Sequence, residues 1–216
     1  MEASTSADST RDRIVTAARA EFARYGIAGA RITRIAKTAK TSSERLYAYF
    51  RSKEELYRFV AEQELAAVLE ATHLDPTDLP EYAGRVHDYF LRHPDRFRFM
   101  SWGRLELAGD AADSVTQETF RRKAEQLRKA QEAGHLDPAW DPIDVLVFVG
   151  QLATAWAGQL DLVDAAADQV RDPSPSARRA AVVAAVQRLF PAAAAGDADV
   201  GVGVSGGAEK TLSGDF

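Results

Sequence analysis

Apolar residues recur along this chain at the three- and four-residue intervals of an α-helix, and no segment shows the strict alternation of a half-buried strand. Ile14, Ala18, Phe22 and Tyr25 share one face of a first helix starting near Arg11. Ser9 or Thr10 is placed to cap it, Ser9 and Asp12 having capping-box spacing, and Gly26 to close it. A second helix over Arg31–Ala39 turns Ile32, Ile35, Ala36 and Ala39 inward, Arg34 and Lys37 outward. Lys40-Thr41 is the turn. Ser42 or Ser43 then caps a short third helix, SERLYAYF, with Leu46 and Phe50 as its buried pair. Ser52, with Glu55 at capping-box spacing, opens a fourth and longer helix from Lys53 to about Thr72.

Five more helices follow by the same reasoning. They are Leu79–His93, stopped by Pro94; the stretch DRFRFMSWGRLEL, stopping near Gly109; Ser114–Ala133, capped by Gly134; an apolar helix from Ile143 to about Ala166; and ARRAAVVAAVQRLF, ended by Pro191. The predicted fold class is all-α, with about nine helices: a three-helix head followed by a larger helical body. The expected divisions are a disordered tail at 1–8, the head at 9–53, the body at 54–191 and a disordered Ala/Gly-rich tail at 192–216.

Charge changes the picture. Between Arg31 and Lys53 seven basic residues (Arg31, Arg34, Lys37, Lys40, Arg45, Arg51, Lys53) face one acid, Glu44, a net +6 on a chain whose total is −5. A compact basic helical unit on an acidic body is the electrostatic footprint of a DNA-reading head, since the acidic remainder repels phosphate and confines contact to the head. The chain has no cysteine, which excludes disulfides and thiolate chemistry, and its four histidines show no metal-ligand spacing. No apolar run reaches the roughly 18–20 residues of a membrane span, and the polar N-terminus lacks a secretory core. The expectation is a cytoplasmic protein without metal, cofactor or membrane partner.

The segments IVTAARAEFARYG, ITRIAKTAKTSSERLYAYF and RSKEELYRFV resemble the TetR family of bacterial transcriptional regulators. The likeness rests on Ala18, Phe22 and Gly26, on Ile35-Ala36, and on Leu46, Tyr47, Tyr49, Phe50, Ser52, Lys53 and Leu56, over about residues 10–60. Four positions depart from the pattern: Lys40-Thr41 replaces the usual Gly-Val turn, Arg31 a Thr or Ser, and Glu44 a small residue. The resemblance implies double-stranded DNA as partner. Tyr47, Tyr49 and Lys53 would contact phosphates, Ser42, Ser43, Glu44 and Arg45 would face the bases, and Arg31 and Thr33 would touch flanking backbone or a base. Chemistry agrees in part, because arginine pairs bidentately with guanine and a carboxylate accepts from cytosine N4. The alternatives are that Glu44 and Arg45 only neutralise neighbours on a solvated face and that Tyr47 packs.

Two features of the body bear on function. Gly150, Thr154 and Gly158, with Ala157 beside them, form a small-residue face, matched by Ala177, Ala181, Ala184 and Ala185 in the last helix. Two such helices per subunit suit a four-helix homodimer interface, with internal packing as the alternative. The middle helices are rich in aromatics, and the resemblance implies a pocket there for a small organic effector. Tyr82, His87, Phe90, Phe99, Trp102, Phe120, Gln151 and Trp156 are its candidate lining, against the plain reading that aromatics build cores. The expected function is a homodimeric repressor released from a palindromic operator by a small molecule. A ligand-independent regulator or activator is the alternative. No nucleophile–base grouping or phosphate loop supports an enzyme, and the compact, capped head argues against a membrane-binding module.

Overall fold

Gly26 decides how the chain leaves its first helix. Its backbone, at φ 71° and ψ −178°, is open to glycine alone, and it kinks α1 (Glu2–Gly29) so that the next turn heads towards α2 (Ile32–Thr38). The computed structural model describes residues 2–107, 114–159, 165 and 167–191. The segment 192–216, expected to be a tail, lies outside them.

α1 starts seven residues before the expected Ser9 cap. The stretch 2–8 holds no glycine or proline to stop a helix. Ser9 therefore sits within the helix, where its hydroxyl accepts from Arg13 Nη1 at 3.3 Å.

α2 ends in a Schellman motif. Thr41 N–H donates to Ala36 O at 3.0 Å, Lys40 N–H donates to Lys37 O at 3.2 Å, and Lys40 takes the left-handed position at φ 54°. The same motif closes α7 (Ser114–Glu132) with a glycine, Gly134, at φ 75°. Lys40 thus carries a steric cost that Gly134 avoids. Lys40→Gly is expected to stabilise the chain by about 0.5–1 kcal/mol, the left-handed penalty less glycine's entropy, read as a rise in the urea midpoint with unchanged slope.

The caps of α3 (Ser43–Tyr49) and α4 (Lys53–Ala71) follow the expected chemistry. Ser42 Oγ accepts from Arg45 N–H at 3.1 Å and Ser52 Oγ from Glu55 N–H at 3.0 Å. Asp78 caps α5 (Leu79–Arg92), Pro94 opens α6 (Pro94–Glu106), Asp141 caps α8 (Pro142–Thr154) and Ser174 caps α9 (Pro175–Leu189). All nine helices of the described residues are α-helical, with one 3-10 turn at Ala167–Gln169 and no strand.

α8 is shorter than expected. Thr154 Oγ1 donates back to Gly150 O at 2.8 Å, and tight turns at Ala155, Ala157 and Gln159 unwind the chain after Thr154. Residues 160–164 and 166 of the expected helix lie outside the described residues.

Two hydrophobic cores result. The head core joins Ile14, Phe22, Ile35, Leu46 and Phe50 to Leu56, Tyr57 and Val60 of α4. It also takes in Phe99 of α6, fully buried against Phe22 and stacked on Tyr57 at 4.6 Å. The body core is built on α5, packed by α8 and α9 and flanked by α7. Gly84 lets α9 approach α5, because a Cβ there would lie 2.8 Å from Arg179 Nη2. Arg179 clamps the pair, with Nη2 to Glu81 at 2.6 Å and Nε to Asp88 at 2.9 Å.

Candidate nucleic-acid interface and effector cavity

The head exposes a short helix, α3, in which Arg45 and Glu44 cancel, so the net positive charge lies in the residues around it. Along α3 and its approach, Ser42, Glu44, Arg45 and Tyr47 are exposed, Tyr47 to 50%, while Ser43 and Tyr49 are half-buried and Leu46 points into the core. Arg31 and Thr33 are exposed at the start of α2. The nine residues expected at the DNA interface therefore all keep accessible surface on the head.

Several already have intramolecular work. The Glu44 carboxylate folds back to accept from its own backbone N–H and from Ser42, which holds it below the usual carboxylate range. Lys53 Nζ donates to Ala28 O at 3.2 Å and Ala30 O at 3.5 Å, fastening the link between α1 and α2. An ammonium has three N–H donors, so one stays available to a phosphate.

Three ties escaped the sequence reading. Glu21 Oε1 accepts from Arg34 Nε at 2.6 Å and from Arg31 N–H at 2.9 Å, and Arg34 lies over Tyr25 at 4.3 Å. Arg13 Nε donates to Ala39 O at 3.0 Å, bracing α2 from α1. Glu64 of α4 is 1% exposed and sits between Arg19 of α1 at 2.5 Å and Arg96 of α6 at 3.2 Å. The apolar stripe Leu56, Val60, Val68 does run through Glu64, and that was the available signal.

α6 rests directly on the break in α1. A Cβ on Gly26 would meet Glu106 Oε1 at 2.2 Å and the Trp102 ring at 3.1 Å, and Glu106 Oε2 accepts from Ala28 N–H at 2.6 Å. A Cβ on Gly103 would lie 2.1 Å from Tyr57 Oη, so glycine is needed there for α4 and α6 to touch. Burial pushes the Tyr57 hydroxyl up to about 12, keeping it protonated, and it donates to Phe99 O at 3.2 Å.

The expected effector lining divides. His87, Phe90 and Trp156 come together with Leu91, Pro94 and Ala157 around a cavity of about 60 Å³. Phe99 and Trp102 belong instead to the head and its junction with α6, because α6 turns these side chains towards α1 and α4. Phe120 is exposed on α7, and Gln151 is exposed on the outward side of α8. Tyr82 is buried in the body core, where its hydroxyl accepts from Lys123 Nζ at 2.8 Å. None of these five lines the cavity.

The expected dimer face divides as well. Ile143 and Val147 stay 44% and 45% exposed on α8, on the stripe that carries Gly150 and Thr154, and nothing lies within 4 Å of a Cβ built on Gly150. Ala181 is exposed on α9, with Ala177, Ala184 and Ala185 half-buried beside it. Ala157 and Gly158 lie in the turn after α8, Ala157 at the cavity and Gly158 against Phe97, so they are not part of that helix face.

A basic three-helix head with a capped, exposed third helix, joined to a helical body, is the architecture of a helix-turn-helix DNA-binding protein. Comparison with known proteins makes this specific. The model of bacterial regulatory proteins of the tetR family matches residues 14–60, and that of the tetracyclin repressor-like C-terminal domain matches residues 78–188. The chain is 35% identical over 183 residues to the HTH-type transcriptional repressor SCO4008 of Streptomyces coelicolor, across 80% of this chain and 94% of the relative. It is 35% identical over 130 residues to the HTH-type transcriptional repressor NicS of Pseudomonas putida, across 56% of each. Among solved structures, a proposed transcriptional regulator of Streptomyces coelicolor, SCO4942, is 58% identical with a TM-score of 0.77, covering 85% of this chain and 99% of that one. The chain belongs to the TetR family of bacterial transcriptional regulators; it is a DNA-binding regulator and not an enzyme. No helix of the described residues is long and apolar enough to cross a membrane, and no cluster of potential metal ligands occurs among them.

Proposed function

We propose that the chain is a homodimeric repressor that holds a palindromic operator and lets go when a small organic molecule enters its body. One observation carries this reading: α6 belongs to both cores. Its Phe99 is buried in the head, while Pro94 and Phe97 line or flank the body cavity and core. A ligand that displaces the N-terminal end of α6 therefore pulls on the Gly26 junction, and α4, running from Leu56 in the head core to Val68 in the body core, moves with it. The exposed apolar stripe of α8, with the alanines of α9, supports pairing across a two-fold axis. Near-complete release requires a ligand that favours the off-DNA state by several kcal/mol. The repressor names of SCO4008 and NicS favour repression over activation.

In this reading Arg45 and Glu44 face base edges, Tyr47, Tyr49 and Lys53 hold phosphates, Ser42 and Ser43 line the groove, and Arg31 and Thr33 touch the flank. Arg45→Ala is expected to weaken operator binding by about 1–3 kcal/mol, roughly five- to 150-fold, while leaving non-specific DNA affinity little changed. Competition gel shifts at fixed salt check this. Ligand release is tested on the operator recovered from genomic fragments: some compound in a broad library should weaken the complex, and a library that never does so sinks the release step. A second reading, a regulator that needs no ligand, rests on the cavity's 60 Å³, well below the roughly 300–1,000 Å³ of ordinary ligand pockets.

A further inference from the structure

His87 is 4% exposed, and its ring hydrogen-bonds to the Ala153 backbone of α8. Nε2 is buried without any partner, so the bond to Ala153 uses Nδ1. Burial holds this imidazole below its ordinary pKa, against the pull of Asp88, and keeps it neutral at pH 7. Nδ1 then carries the proton given to the Ala153 carbonyl, and Nε2 is left as a bare acceptor. Buried acceptors are rarely left unpaired, because the lost hydration costs on the order of 1–3 kcal/mol.

His87 lines the cavity whose other walls, Phe90, Leu91, Pro94, Trp156 and Ala157, are apolar but for the Trp156 indole N–H. Leu91 is 43% exposed and Pro94 is exposed, so the mouth of this cavity is an apolar lip at the surface between α5 and α6. A cavity of 60 Å³ takes the polar end of a ligand, while the lip supports its body. We infer that this site selects an uncharged, largely apolar molecule that presents one hydrogen-bond donor, a hydroxyl or an N–H, to His87 Nε2. This rests on the effector reading above and names the chemical class that reading leaves open.

The walls reinforce the choice. Besides the Trp156 indole N–H, which can only donate, they offer no second hydrogen-bonding side chain and no second acceptor, so a ligand with several donors would leave most of them dry. Arg178, stacked on Trp156 at 4.4 Å, has Nε and Nη2 buried and unpartnered and is the rival anchor, one that would prefer a carboxylate.

The test uses the full chain labelled with 15N-histidine and three probes of similar size: phenol, toluene and benzoate. Phenol should move the His87 Nε2 resonance and bind about tenfold more tightly than toluene. That advantage should vanish in His87→Phe and return in part in His87→Gln, which restores an acceptor. Equal binding of phenol and toluene to the unaltered chain overturns the inference without needing any variant to fold. Preferred binding of benzoate, unchanged in His87→Gln, also overturns it and places the anchor at Arg178. Operator release is scored separately by gel shift. Phenol bound at His87 with no effect on operator affinity leaves this site standing and counts against the release reading; release by a compound that ignores His87 does the reverse.

Discussion

Glu64→Ala is expected to lower the unfolding free energy by about 3–5 kcal/mol, among the largest losses available to a single substitution in this chain. Glu64 is 1% exposed, and its carboxylate stands between the guanidinium groups of Arg19 and Arg96. Removing it leaves two cations facing each other in a site already withdrawn from water. The arginines are 29% and 24% exposed in their side chains, so each recovers some hydration, and the lower end of the range applies if both swing outward. Because the three residues come from α1, α4 and α6, the loss should be felt in both head and body. Urea unfolding followed by helical signal measures it, and the thermal midpoint should fall by about 10 °C. A loss below about 1 kcal/mol would mean that the cluster contributes no net attraction.

Phe99→Ala is expected to cost about 3–5 kcal/mol by a different route. Its ring is fully buried among Phe22, Tyr57 and the rest of the head core, in a helix whose N-terminal end, at Pro94 and Phe97, reaches the body. The alanine variant loses the ring's transfer energy and leaves a cavity at the point where α6 is anchored. In folded protein below its lowered midpoint, operator affinity should persist, since α2 and α3 keep their own contacts. The ligand-induced drop in that affinity should shrink towards none, because the head no longer follows α6. A variant as stable as the original would contradict the packing account; one that is destabilised yet releases DNA normally would contradict the coupling account.

The parts of this molecule that could be read from the chain are those set by neighbours in sequence. Ser42 and Ser52 cap their helices because a hydroxyl three residues before an unpaired N–H has one obvious use. Gly26 and Gly134 mark helix ends because only glycine takes those backbone angles cheaply. Lys40 kept the same geometry without the glycine, so the turn survived a change of residue type. Leu46 and Phe50 were identifiable as a buried pair from spacing alone.

What escaped depends on which surfaces meet. Phe90 and Phe99 look alike in the chain, but one lines the body cavity and the other is buried in the head core, a division fixed only by how α6 lies across α1. Gln151 resembles a polar pocket group until α8 turns it outward beside Val147. The end of α8 at Thr154 is invisible to an apolar pattern that continues past it.

The account stands or falls on whether two heads read one operator together. Genomic fragments bound by the purified chain should be recovered, footprinted by nuclease, and the chains per duplex counted by sedimentation. The account predicts two chains on a two-fold symmetric footprint, with half-sites about one helical turn apart, roughly 34–36 Å between centres. A single chain protecting one asymmetric site would contradict it.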